Sequence, residues 1–209
     1  MSLAELLAVP GVEERLELAG PVGLLAFHGG LEGGTETVAT AAAAQSAASL
    51  YAIVQPPTLR WHLPSHTVGA GASPALVRFL DHIEVAIAVH GYGRPSRPRD
   101  LLLGGGNRVL AAQLARSLRR HLPDWTVIDD LDEFPREMRG LHPDNPVNRC
   151  RGGGVQLELP PAVRGASGRL LDSQVCVPEP GLITALADVV SEWRPDSQGS
   201  MSKLPPTLQ

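Results

Sequence analysis

Two histidines and a glutamate are spaced in a way that could hold a metal ion. His28 directly follows the apolar run 22–27, and His90 directly follows the apolar run 83–89. Glu32 lies in the loop after His28, whose glycines let the backbone curl so that both side chains turn toward one ion. Two imidazoles and one carboxylate are the ligand set of an open catalytic zinc site. The spacing alone also allows both histidines to be polar residues at strand ends.

A second carboxylate, Glu158, lies in the alternating segment 155–159. In a strand, this pattern places the two leucines on one face and Gln156 with Glu158 on the other. A carboxylate inside an otherwise apolar strand costs free energy unless it is paired or functional. The strand by itself favours a solvent-facing Glu158, and a functional carboxylate is the alternative.

Arginines and further histidines offer additional binding groups. Arg149, with Asn148 before it, could hold a carboxylate through two parallel hydrogen bonds, or it could be a solvated residue of an arginine-rich loop. His62 and His66 form another candidate pair, which a polar loop explains as well. Three arginines follow His90, namely Arg94, Arg97 and Arg99. We interpret them as solvated; the alternative is that they help to hold an anionic substrate.

The glycine turn at residues 104–107 resembles a phosphate-binding turn, because it joins a predicted strand to a predicted helix and helix starts bind anions. No Gly-Lys-Ser/Thr follows it and the dinucleotide-binding pattern is incomplete, so this signal is weak. The glycines after His28 also resemble the oxyanion loop of esterases. The Gly-x-Ser-x-Gly elbow of those enzymes is absent from the sequence, which excludes a serine esterase.

Strands and helices alternate along the chain, which predicts a three-layer α/β fold with a mostly parallel or mixed central sheet and helices on both faces. The predicted strands are 22–27, 50–54, 83–89, 101–103, 125–128 and 155–159. The predicted helices are 2–9, 35–48 with Thr35 as cap, 73–80 with Ser73 as cap, 107–121 and 182–193. The region 129–153 shows no clear period. Ligands of such sheets bind beyond the carboxyl ends of the strands, where His28 and His90 are expected.

Composition indicates one folded domain. The chain has 209 residues, 43% hydrophobic and 19% charged, which suits one domain over residues 1–194 with a flexible tail at 195–209. A net charge of −4 and 4% aromatic residues argue against a nucleic-acid partner. The two cysteines form no disulfide framework. No apolar run could span a bilayer and no signal peptide is recognisable, so we expect no membrane partner and a cytoplasmic location.

Four of these segments, taken in order, resemble the poly-γ-glutamate hydrolase family. They are Phe-His-Gly-Gly-Leu-Glu-Gly-Gly-Thr at 27–35, a strand that ends in His-Gly at 90–91, Asn-Pro-Val-Asn-Arg at 145–149, and Gly-Val-Gln-Leu-Glu-Leu at 154–159. The stretch Trp-His-Leu-Pro-Ser-His at 61–66 also resembles part of that family. The likeness runs from about Val22 to Arg164, which is most of the chain.

The resemblance implies a fold similar to that of zinc carboxypeptidases and a zinc-dependent hydrolase of γ-glutamyl amide bonds. The Zn2+ ligands that it implies are His28, Glu32 and His90. It also implies Glu158 as the general base and Arg149, with Asn148 beside it, as the group that binds a substrate carboxylate. Because His28 and Glu32 are one residue closer together than in the family pattern, Glu36 is the alternative carboxylate ligand.

Three functions follow from these observations as hypotheses. The first is a zinc amidohydrolase that acts on an acidic peptide or a γ-glutamyl polymer, or on another carboxylate-bearing amide. The second is a protein that keeps the fold and binds a metal or an anion without turnover. The third is a phosphate or nucleotide binder built on residues 104–107. An intact set of zinc ligands together with Glu158 favours the first, because a binding protein has little reason to keep a general base.

Overall fold

A seven-stranded sheet forms the centre of the computed structural model, which describes residues 2–69, 71, 73–166 and 176–194. The strands are β1 (Glu13–Glu17), β2 (Val22–Gly29), β3 (Ser49–Val54), β4 (Val85–Gly91), β5 (Asp100–Leu103), β6 (Thr126–Ile128) and β7 (Gly154–Leu159). The helices are α1 (Leu3–Leu7), α2 (Thr35–Ser46), α3 (Pro74–His82), α4 (Arg108–His121) and α5 (Pro180–Glu192). The expected alternation of strands and helices is confirmed.

The strand order is β1-β3-β2-β4-β7-β5-β6, and the sheet is mixed. Strands β3, β2, β4 and β7 run parallel to one another, whereas β1 and β5 are antiparallel to their neighbours β3 and β7. The apolar runs in β2 and β4 are buried along their lengths because both faces of the sheet are covered. The parallel centre places the carboxyl ends of β2, β4 and β7 at the same edge.

Helices cover both faces, which gives the three layers that the sequence predicts. One core packs α2, α4 and α5 against the sheet, and the leucines of α4 that recur every four residues are buried there. The opposite core contains α1, α3 and residues that precede β7. No helix within the described ranges is both long enough and apolar enough to cross a membrane. The predicted tail at 195–209 lies outside the described residues, and the domain boundary at 194 stays a prediction.

Capping residues in the sequence predicted most of the helix starts correctly. Ser73 caps α3 by accepting a hydrogen bond from Leu76 N at 3.0 Å, with Pro74 in the first turn, as predicted. Asn107 caps α4 in the same way. The prediction that Thr35 caps α2 is wrong, because Gly34 occupies the cap position with a φ of +88° and Thr35 is already helical. This left-handed turn needs glycine, and it redirects the loop that carries Glu32.

Candidate active site

The sheet topology brings His28 and His90 together. His28 is the penultimate residue of β2 and His90 the penultimate residue of β4, and these strands are parallel neighbours. Their ring centroids lie 5.1 Å apart, and both side chains are buried. A turn then returns the chain to His28, because His28 O accepts hydrogen bonds from the amides of Leu31 and Glu32. The turn places the Glu32 carboxylate between the two histidines.

Glu32 contacts both rings. Its Oε1 lies 2.9 Å from His28 Nδ1, and its Oε2 lies 3.7 Å from His90 Nδ1. The backbone amide of Gly91 donates a hydrogen bond of 2.7 Å to Oε2, which fixes the carboxylate at the end of β4. One possible ligand atom from each of the three residues lies within 4.8 Å of the others. The three side chains predicted as zinc ligands therefore form one cluster.

The hydrogen bonds of His28 determine which of its nitrogens carries a lone pair. His28 Nε2 lies 2.8 Å from Leu63 O, and a carbonyl only accepts, so Nε2 carries the hydrogen. Nδ1 then has a lone pair that faces Glu32 Oε1, and two acceptors at 2.9 Å repel unless a cation or a proton lies between them. Histidines that bind metals commonly donate their other N–H to a backbone carbonyl in this way.

His90 provides a second unsatisfied donor atom for a metal. Its Nε2 is buried, and no hydrogen-bond partner for that nitrogen is found among the described residues. Burial lowers the pKa of His90 to about 4, which keeps the ring neutral at pH 7 and able to coordinate. Burial is the largest single effect on the pKa of His28 and lowers it, but the charge of Glu32 and the hydrogen bonds to Glu32 and Leu63 together leave this pKa raised. The chemistry of the donor set fits a zinc ion.

Glu158 lies on β7 beside this cluster, in register with His90 of β4. Its side chain is 7% exposed, so the favoured expectation of a solvent-facing residue is wrong. The loops between β6 and β7 cover this face of β7, and they include buried Met138 and Asn145. Burial, together with the charge of Glu32, raises the pKa of Glu158 to about 8. The buried site therefore makes Glu158 a stronger base than an ordinary glutamate.

A cavity of about 590 Å3 opens over these four residues. Its wall comes from the loops after β3, after β4 and between β6 and β7. Both histidines of the second candidate pair lie in this wall: the His62 ring is 4.7 Å from the His28 ring, and the His66 ring is 4.9 Å from that of His142. The residues that line the cavity and carry charge or imidazole groups are His28, Glu32, His62, His66, His90, Arg94, Arg136, Glu137, His142 and Glu158.

The structure does not bring Arg149 and Asn148 into this cavity. Arg149 is exposed and lies just before the start of β7, whereas Glu158 is near its carboxyl end. Asn148 has a different task, because its side chain accepts from Gly106 N at 2.9 Å and donates to Gly140 O at 2.7 Å. Substrate binding by these two residues stays a prediction that this geometry does not support. The arginines that do line the cavity are Arg94 and Arg136.

The alternative carboxylate ligand, Glu36, lies apart from the cluster. It is in the first turn of α2, and its Oε2 accepts a hydrogen bond from Gly30 N at 3.3 Å. Within the described part of the chain, the group that could hold a metal consists of His28, Glu32 and His90. The geometry therefore favours Glu32 over Glu36.

The glycine turn at residues 104–107 has no amide left for a phosphate. Its four N–H groups donate to Gln156 O, Arg139 O, Asn148 Oδ1 and Gly154 O at 2.7–3.0 Å. The turn instead ties α4 to β7 and to the loop at 139–148. A phosphate or nucleotide site at this turn is therefore not supported.

Sequence reasoning missed two groups of functional interest. Arg164 is buried, and it donates to Leu159 O at 3.1 Å and to Gly33 O, which joins the end of β7 to the loop of Glu32. Gln156 donates to Glu158. The alternating pattern of the strand placed Gln156 on the same face as Glu158, and this pattern could have indicated the contact between them. Arg164 had no comparable signal, because a single arginine after a strand is usually solvated.

Comparison with known proteins identifies the family. A family model described as poly-gamma-glutamate hydrolase matches residues 8–171, which is most of the chain. The chain belongs to the poly-gamma-glutamate hydrolase family. The resemblance inferred from the ordered segments is thereby confirmed, and the protein is a hydrolase of γ-glutamyl amide bonds. No curated protein sequence matches the chain.

Two solved structures share the fold. The structure of a bacteriophage poly-gamma-glutamate hydrolase matches with a TM-score of 0.68 and 24% identity, covering 88% of this chain and 89% of that chain. YNDL-apo, described as zinc-free, matches with a TM-score of 0.68 and 24% identity, covering 86% of this chain and 87% of that chain. A metallo-carboxypeptidase from Burkholderia cenocepacia has a TM-score of 0.47 and 11% identity over 90% of this chain and 65% of that chain.

Proposed function

We propose that this poly-gamma-glutamate hydrolase is zinc-dependent and that its substrate is a γ-glutamyl polymer or a short acidic γ-glutamyl peptide. The observation that carries the proposal is the cluster of His28, Glu32 and His90, in which imidazole nitrogens and a carboxylate converge and His90 Nε2 has no other partner among the described residues. These three residues would hold the ion. When bound, zinc supplies a Lewis acid that polarises an amide carbonyl and makes water more acidic.

Glu158 is the group that moves protons in this proposal. It lines the cavity next to His90, and its raised pKa of about 8 makes it a stronger base than an ordinary glutamate, so that it can take a proton and return it near neutral pH. Glu158 would accept a proton from the attacking water and then donate it to the leaving nitrogen. The amide bond breaks, the new C–O bond forms, and the products are a carboxylate and an amine.

The cavity wall orients the substrate. A γ-linked glutamate chain carries a free α-carboxylate at each linkage, so it presents negative charges to the loops around the cavity. Arg136 lines the cavity, is exposed and has no ion-pair partner among the described residues, whereas Arg94 pairs with Glu137 at 2.7 Å. The free guanidinium of Arg136 is thus the better placed to hold a substrate carboxylate.

The variant Glu158→Gln tests the proposed mechanism. Glutamine has nearly the same shape and can still accept the hydrogen bond from Gln156, but it cannot carry the transferred proton. We expect full zinc content and a KM close to that of the wild type, with kcat lower by roughly 10²–10⁴-fold. The matched control is Glu192→Gln at the exposed end of α5, which should leave both constants unchanged. Full activity of Glu158→Gln would refute the role of Glu158, and a zinc-loaded wild type that cleaves no γ-glutamyl amide would indicate a binding protein.

A further inference from the structure

A buried chain of amide side chains leads to Glu158. Gln156 Nε2 donates to Glu158 Oε1 at 2.8 Å, and Asn145 Nδ2 donates to Gln156 Oε1 at 2.8 Å. All three side chains are buried, with exposures of 2–7%. Asn145 begins the segment 145–149, and no role in the proposed mechanism has been given to it or to Gln156. Buried amides are costly unless they are satisfied, so this arrangement calls for a reason.

Backbone groups determine which atom donates and which accepts in each hydrogen bond between these amide side chains. Asn145 Oδ1 accepts from the amide of Val147 at 3.3 Å, so its Nδ2 must be the atom that faces Gln156. The atom of Gln156 that receives this donor is therefore Oε1, and its Nε2 points to Glu158. Met138 O, a pure acceptor, lies 3.4 Å from the same Nε2 and agrees with this orientation. A 180° rotation of either side-chain amide group would break at least one of these hydrogen bonds.

The absence of a side chain at Gly140 leaves space for the side chain of Gln156. Gly140 has a φ of +62°, and a Cβ at this position would lie 2.6 Å from Gln156 Oε1. The loop at 139–145 therefore passes against the amide at a distance that only glycine permits. The loop, the two amide side chains and β7 therefore pack directly against one another beside Glu158.

We propose that Gln156 and Asn145 are positioning residues that hold Glu158 by one carboxylate oxygen, so that Oε2 alone is presented to the reacting atoms. This inference rests on the proposed function of Glu158 as the proton-transfer group. A side chain held in this way needs little reorganisation during the reaction.

Kinetics of substituted proteins test the proposal. Gln156→Met keeps the volume but removes the donor, and Asn145→Asp replaces the donor that fixes the orientation of Gln156. We expect each to lower kcat by roughly 10–100-fold with zinc content and KM within about twofold of the wild type. Because the two residues act through one hydrogen-bond chain, the double variant should be no slower than the slower single variant. The control is Gln45→Met on the exposed face of α2, which should keep its kcat.

A spectroscopic measurement makes the test independent of turnover. The side-chain amide protons of Gln156, assigned by their loss in Gln156→Met, should be protected from hydrogen exchange in the NMR spectrum of the wild type and lose protection in Asn145→Asp. Gln156→Met with wild-type kcat, a double variant whose losses multiply, or unprotected Gln156 amide protons would each overturn the proposal. Failure of the proposed function is distinct, because zinc-loaded wild type would then cleave no γ-glutamyl amide.

Discussion

The hydrogen bond from His28 to Leu63 determines how the cluster of charged residues at the sheet edge is arranged. With Nε2 occupied, the lone pair on Nδ1 faces the Glu32 carboxylate, and the arrangement is favourable only with a positive charge between them. Sequence patterns predicted His28, Glu32 and His90 because each follows or adjoins a strand end. They could not predict this tautomer, since Leu63 lies in a loop that is 35 residues away.

Substitution of the carboxylates separates the two candidate ligands. Glu32→Gln removes a charged ligand that contacts both histidines, and we expect zinc to be lost in dialysis that leaves the wild type about fully occupied. Glu36→Gln should keep its zinc, because Glu36 is held by Gly30 N outside the cluster. Elemental analysis of both dialysed proteins measures this. Zinc retained by Glu32→Gln and lost by Glu36→Gln would reverse the assignment.

Substitution of two exposed arginines, one inside the cavity and one outside it, tests where the substrate binds. We expect Arg136→Ala to raise KM for γ-glutamyl substrates by roughly tenfold, the value of one charged hydrogen bond, because Arg136 lines the cavity. Arg149→Ala should leave KM unchanged, since Arg149 precedes the amino end of β7. Steady-state kinetics on poly-γ-glutamate measure both. If Arg149→Ala raised KM and Arg136→Ala did not, substrate would bind outside this cavity and the original expectation for Arg149 would stand.

Periodicity and capping residues predicted the strands and helices that carry the site. Strands β2 and β4 were predictable because their apolar runs are bounded by His-Gly pairs. Strand β1, Glu-Glu-Arg-Leu-Glu, was missed because it is an exposed edge strand whose charged residues show no apolar alternation. The α2 cap was misplaced because the turn requires the left-handed φ of Gly34, which outweighs the capping preference of Thr35.

Arg164 connects the elements of the site, and its removal should cost stability. Arg164→Met would leave the carbonyls of Leu159 and Gly33 without this donor, and it would remove positive charge near Glu32. We expect the metal-free protein to lose roughly 3 kcal/mol of unfolding free energy. Urea denaturation measures the change. The control is Arg151→Met, whose side chain is 81% exposed, with an expected loss below about 0.5 kcal/mol. Equal stability of the two variants would contradict the connecting role.

The α/β class of the fold, and the position of the site at one edge of the sheet, follow from the alternation of strands and helices. The sequence did not predict which loops cover that edge of the sheet. The region 129–153 has no period, yet its short turn Arg136–Met138, the segment 140–142 and Asn145 supply a wall of the cavity that Glu158 lines. Loop packing depends on contacts between distant residues, and for this reason the exposure of Glu158 and the position of Arg149 were not predictable.

The proposed mechanism requires that the cluster of His28, Glu32 and His90 holds zinc for hydrolysis to occur. Titration of the metal-free wild type with zinc, while poly-γ-glutamate hydrolysis is followed, measures this requirement. We predict no turnover without metal, a linear rise in activity, and saturation at about one equivalent of zinc per chain. Hydrolysis that proceeds at its full rate in the metal-free protein, or that does not respond to added zinc, would contradict the account.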